Sequence, residues 1–134
     1  MNKFIAIVLC FIALCQVSAN YGEIQCKVVS VYDGDTFFVD IPGWPPIIGK
    51  RISVRVYGID TPEMRSKDDE LKRAAQECQE YGSKLLKSSK KVTLKNLRRD
   101  KYFRLLADVE FDGKDYARHM LDMKYAVPYF GGTK

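Results

Sequence analysis

The chain has 134 residues, 46% of them hydrophobic, and a net charge of +5. This length supports one domain, and the composition excludes intrinsic disorder, collagen and coiled coil. The positive balance favours an anionic partner.

Residues 1–19 read as a signal peptide. Lys3 supplies the positive start, Phe4 to Leu14 is an apolar run, and Val17-Ser18-Ala19 fits a cleavage site after Ala19. The run is too short to span a bilayer comfortably, and no later segment is long and apolar enough to do so. The protein is therefore expected to be secreted or periplasmic, with residues 20–134 as the working domain. Removing the leader leaves two cysteines, Cys26 and Cys78. An oxidising compartment permits a disulfide between them; two buried thiols are the alternative.

Ile24 to Tyr32 is β-branched and apolar and reads as a first strand. Asp33-Gly34-Asp35 is a turn signal, and Thr36 to Ile41 reads as the returning strand of a hairpin. Pro42-Gly43-Trp44-Pro45-Pro46 interrupts the sheet. Arg51 to Gly58 alternates strictly, with Ile52, Val54 and Val56 on one face and Arg51, Ser53, Arg55 and Tyr57 on the other. Asp60-Thr61-Pro62-Glu63 ends that strand. Asp68 to Ser88 has helical period, with Leu71, Ala74, Ala75, Cys78, Tyr81 or Gly82, and Leu85 on one stripe. Val92 to Leu97 and Tyr102 to Phe111 read as two further strands, joined by the basic cluster Arg98, Arg99, Asp100, Lys101. Tyr116 to Lys124 is a short helix with Tyr116, Met120 and Met123 on one side. Five strands with a helix between the third and fourth fit an α+β fold, a five-stranded Greek-key barrel of the OB type with a short C-terminal helix. Such barrels commonly bind single-stranded nucleic acid.

Few residues offer chemistry. His119 is the single histidine, which disfavours multi-histidine zinc hydrolases. Cys78 on an apolar stripe suits packing more than reactivity. There is no phosphate-loop motif and no nucleophile elbow. Carboxylates and arginines remain: Asp35, Asp60 and Glu63, with Arg55 and Arg104. Aspartate oxygens suit Ca²⁺ or Mg²⁺, guanidinium groups suit phosphate, and a carboxylate can orient an attacking water or take its proton. Together these are the parts of phosphodiester hydrolysis. Each alone also reads as turn, strand end or solvated loop.

The combination resembles the secreted thermonuclease, or staphylococcal-nuclease-like, family. The matching stretches are Asp33-Gly34-Asp35-Thr36, Arg55-Val56-Tyr57-Gly58-Ile59-Asp60-Thr61-Pro62-Glu63 and Asp100-Lys101-Tyr102-Phe103-Arg104. The ending Ala126-Val127-Pro128-Tyr129 is similar too. The resemblance implies an OB barrel and a calcium-dependent nuclease, expected as a monomer, that cuts DNA and RNA with little sequence selectivity and leaves 3′-phosphates. It implies Ca²⁺ on the Asp35 and Asp60 carboxylates and the Thr61 carbonyl. Glu63 would be general base or water-positioner, and Arg55 and Arg104 would hold the phosphate. Lys101 and Tyr102 would contact a neighbouring phosphate, and Tyr129 a base or sugar. The chain departs from that family in Phe103, where glycine is usual, and in a longer Pro42 to Lys50 loop. A non-catalytic nucleic-acid-binding OB module is the alternative, and an envelope interaction protein a third possibility.

Overall fold

The computed structural model describes residues 22–131. The signal-peptide expectation and the sequence-read cleavage site lie outside these residues.

The elements run β1 (Ile24–Asp33), β2 (Thr36–Asp40), a one-turn helix α1 (Pro46–Gly49), β3 (Ile52–Val56), β4 (Gly58–Asp60), α2 (Asp69–Ser88), β5 (Val92–Arg99), β6 (Leu105–Phe111), β7 (Lys114–Asp115), α3 (Tyr116–Asp122) and β8 (Val127–Tyr129). β1, β2 and β3 form an antiparallel meander, and β1 pairs on its other side with β5, which pairs with β6. A parallel pairing of β3 with β6, with Arg55 opposite Leu106, closes the ring. The result is a closed five-stranded barrel with β7 as a sixth strand outside it, an OB-like α+β fold. Closure removes the exposed edges that an open sheet of this size would present.

Alternation explains the barrel's filling. On β3, Val54 and Val56 are buried while Arg55 lies on the other face. β6 repeats the pattern, burying Leu105, Ala107, Val109 and Phe111. Phe37, Val39, Leu94 and Met120 complete a contiguous core. Register shifts between Val28 and Ser30 and between Val31 and Asp33 bend β1, as barrel strands must.

Helix α2 starts where Asp68 accepts hydrogen bonds from the Glu70 and Leu71 amides. Its buried residues are Ala75, Cys78, Gly82 and Leu86. Leu71, expected on the buried stripe, is exposed, because the first turn precedes the residue that first meets the barrel. Gly82 is required there: a Cβ at that position would lie 2.6 Å from the Tyr116 hydroxyl. That hydroxyl donates to the Gly34 carbonyl at 2.7 Å, so α2, α3 and the β1–β2 turn are locked together.

Other expectations shift locally. The fifth barrel strand begins at Leu105 and not at Tyr102, because residues 100–104 form a tight turn around one carboxylate. β4 and β8 form a separate two-stranded sheet that the sequence did not announce. Met123, expected beside Met120, is exposed, since α3 ends at Asp122 and Lys124 turns the chain with φ +61°. His119 is partly packed, sharing a hydrogen bond of 2.7 Å with the Tyr81 hydroxyl. Trp44 packs part of its surface against the core. Cys26 and Cys78 are free thiols, and burial pushes each up to about 12. Among the described residues no helix is long and apolar enough to cross a membrane.

Candidate active site

A cleft of about 880 Å³ opens on the barrel wall. Asp35, Arg55, Asp60, Glu63, Lys101, Tyr102, Arg104 and Tyr129 all line it. Thr61 is buried just beneath, with its amide donating to Asp35 Oδ2 at 2.9 Å. The carboxylates, arginines and flanking residues assigned to the site from the sequence thus fall at one place, from five separate stretches of chain.

The inner half of the cleft is built on the barrel. Residues 33–36 make the tight β1–β2 turn, with Asp33 paired to Thr36, which presents Asp35 next to β3. Register across β2 and β3 sets Thr36 opposite Arg55. The Arg55 guanidinium lies between two acids. Its Nη1 is 3.3 Å from Asp35 Oδ2, and its Nη2 is 3.4 Å from Asp60 Oδ1. Nη1 also donates to the Val56 carbonyl at 3.1 Å. Asp60 arrives through β4, which β8 holds by pairing Asp60 with Val127. Glu63 follows the Thr61-Pro62 bend and stands exposed at the rim.

Burial and charge act against each other at the β1–β2 turn. Burial alone would raise the Asp35 carboxyl. Hydrogen bonds from Asp33, the Thr61 amide and the Thr36 hydroxyl, with the Arg55 charge, outweigh it and hold Asp35 below the usual range. Asp33 bears the opposite consequence: burial first, then the adjoining Asp35, push it up to about 7. Asp35 is therefore kept as an anion, with its Oδ1 accepting from Thr36 at 2.9 Å.

The outer half hangs on Asp100. Its Oδ1 accepts from the Tyr102 and Arg104 amides at 2.8 and 2.9 Å, and its Oδ2 accepts from Arg104 Nε at 2.6 Å. These bonds and the Arg104 charge outweigh partial desolvation and lower the Asp100 pKa. Arg104 is thereby held with its guanidinium 5.3 Å from the Tyr102 ring, while Lys101 Nζ lies 5.1 Å from the same ring. The sequence reading gave Asp100 no role. The available signal was an acid opening a turn, with two following amides for its carboxylate to receive. Phe103 adopts φ +63° at the tip, the left-handed geometry that favours glycine.

The oxygen donors fit a hard cation. Asp35 and Asp60 offer two carboxylates that already share one positive group, and the Thr61 amide bonds to Asp35, which sets that residue's backbone beside the pair. Among the described residues no three His, Cys, Asp or Glu side chains form a ligand cluster, so carbonyls and water would complete a coordination shell.

The fold and site together define an OB-type barrel domain with arginines and carboxylates interleaved in one lateral cleft. Residues 53–133 match the family model described as staphylococcal nuclease homologue. That is more than half of the chain, and the protein belongs to this family. The matched span begins within β3, so it contains Arg55, Asp60, Glu63 and Arg104, while Asp35 precedes it. No curated protein matches the chain.

Proposed function

We propose that the protein is a secreted, Ca²⁺-dependent nuclease that hydrolyses phosphodiester bonds of DNA and RNA with little sequence selectivity. The observation that carries this reading is the convergence of Arg55, Arg104, Glu63 and the Asp35–Asp60 pair on one cleft. Family membership supports nuclease chemistry independently. The named groups address phosphate, not base edges, and so give little sequence preference.

In this reading Arg55 and Arg104 receive the non-bridging oxygens of one phosphate, and their charge stabilises the transition state. Glu63 orients the attacking water or accepts its proton. Water adds to phosphorus, the bond to the 5′ oxygen breaks, and a 3′-phosphate and a 5′-hydroxyl leave. Asp35, Asp60 and the Thr61 carbonyl would hold Ca²⁺, which supplies positive charge against the phosphate when bound. Lys101 and Tyr102 contact a neighbouring phosphate, and Tyr129 flanks a base or sugar. Secretion rests on residues 1–19 alone.

The test incubates the purified protein with single-stranded DNA, duplex DNA and RNA, in Ca²⁺, in Mg²⁺ and in chelator, beside the Glu63→Ala variant. Degradation that needs Ca²⁺ and falls sharply in the variant supports the proposal. Salt-dependent binding with intact substrate throughout would instead favour a non-catalytic binding module.

A further inference from the structure

The cleft continues beyond its charged residues toward β8. Tyr57 lies two residues past Arg55, and together with Phe130 it lines the same cleft. Two contacts fix the Phe130 ring. It meets Tyr57 edge-on, with centroids 5.6 Å apart at 66°. It lies against Gly58, where a Cβ would sit 3.5 Å from Phe130 Cε1 and where φ is +88°. Tyr57 is itself backed by the Arg98 guanidinium, 4.1 Å from its ring centroid. Arg98 is paired with Asp108 at 3.5 Å, and its Nε is buried on the Tyr57 side of the pair.

Phe130 nevertheless stays 70% exposed. A large aromatic ring braced by Tyr57 and Gly58 and open at the end of a cleft that carries Arg55, Lys101 and Arg104 has the form of a stacking platform. Aromatic rings of this kind take nucleobases, because every base has a π-face. A paired base is already stacked on both sides, and removing it costs a few kcal/mol.

We propose that Phe130, braced by Tyr57 and Gly58, is a stacking subsite for one unpaired nucleobase of the polynucleotide whose phosphate lies at Arg55. The subsite rests on the nucleic-acid reading of the cleft. Neither Phe130 nor Tyr57 was assigned a role from the sequence.

Binding tests this without requiring turnover. Anisotropy of a labelled oligothymidylate is read in chelator for the full protein and for Phe130→Ala, Phe130→Trp and Ile47→Ala. Ile47 is exposed and lies outside the cleft. Phe130→Ala should weaken binding by about 5- to 150-fold. Phe130→Trp should restore it, and Ile47→Ala should leave it unchanged. An otherwise identical oligonucleotide with abasic positions should bind the parent protein as weakly as the alanine variant, with no further loss in that variant. Equal binding of the parent and Phe130→Ala to oligothymidylate overturns the subsite. So does an undiminished alanine effect on the abasic strand. These results are independent of cleavage: a protein that stacks bases but never cuts loses the nuclease reading and keeps the subsite, and one that cuts without any Phe130 effect does the reverse.

Discussion

The two halves of the cleft are held by different means. Arg55 is embedded in the barrel: it comes from a strand paired on both sides, its side chain is 11% exposed, and it is pinned between Asp35 and Asp60. Arg104 stands on a surface turn and depends on one carboxylate, Asp100. The first arrangement ties the Arg55 guanidinium, proposed to bind phosphate, to the stability of the fold. The second leaves it adjustable, since the turn can change without disturbing the core. The same guanidinium chemistry should therefore fail in two distinct ways when each half is damaged.

Arginine truncation tests that difference most severely. Arg55→Ala and Arg104→Ala should each lower kcat by about 10²–10³-fold. Stability separates them. Arg55→Ala leaves two carboxylates facing each other without their shared cation, at a cost of about 3 kcal/mol. Arg104→Ala should cost about 1 kcal/mol or less, as for other partly exposed pairs. Urea unfolding of the two variants measures the contrast, and equal losses would mean that Arg55 is no more integral to the fold than Arg104.

A smaller effect is expected one step away from the substrate. Asp100→Ala leaves Arg104 in place but releases its guanidinium and two amides. Activity should fall about 10- to 100-fold, in line with the cost of misplacing a catalytic group by an ångström. Asp100→Asn, which can still accept from the amides, should lose less. A loss in Asp100→Ala matched by an equal loss of folded protein would make the residue structural and nothing more.

Legibility in the sequence follows the same division. The Asp33-Gly34-Asp35 turn and the alternation through Arg55 are local patterns, and the barrel repeats them faithfully. Asp100 stands in a run of basic residues that resembles a solvated loop. Its importance lies in three donors that only the folded turn brings to it. β4 and β8 were equally hidden: each has three residues, and Gly58 pairs with Tyr129 from the far end of the chain. Leu71 shows the limit of helical period, which marks a stripe but not where along the helix the barrel begins.

Acid should act on the outer half through Asp100. Its folded pKa is lowered, so the unfolded chain binds the proton more readily. The stabilisation is present above the ordinary carboxylate value and is lost as pH falls through the folded one. Parent and Asp100→Asn proteins should thus differ in urea midpoint at about pH 6 and converge toward about pH 3. A difference that persists unchanged at the lower pH would show that the carboxylate's charge does not support the turn.

The smallest effect concerns the tip of that turn and has the opposite sign. Phe103 holds φ +63° with its ring 82% exposed, so the side chain gains little burial in return for left-handed backbone. An L-residue in that region costs about 1–2 kcal/mol relative to glycine. Glycine in turn gives the unfolded chain about 0.4–1 kcal/mol more conformational freedom. Phe103→Gly should therefore stabilise the protein by about 0.5–1 kcal/mol. The Arg99 Nη1 bond to the residue 103 carbonyl, 2.7 Å long, involves only backbone at that position and should survive. Arg104 should keep its bond to Asp100, and the substitution should leave kcat within about twofold, a difference of some 0.4 kcal/mol in barrier. A large fall in activity with the expected gain in stability would show that the strained ring itself takes part in gripping the substrate, and that the exposed half of the cleft is less passive than its single-carboxylate suspension implies.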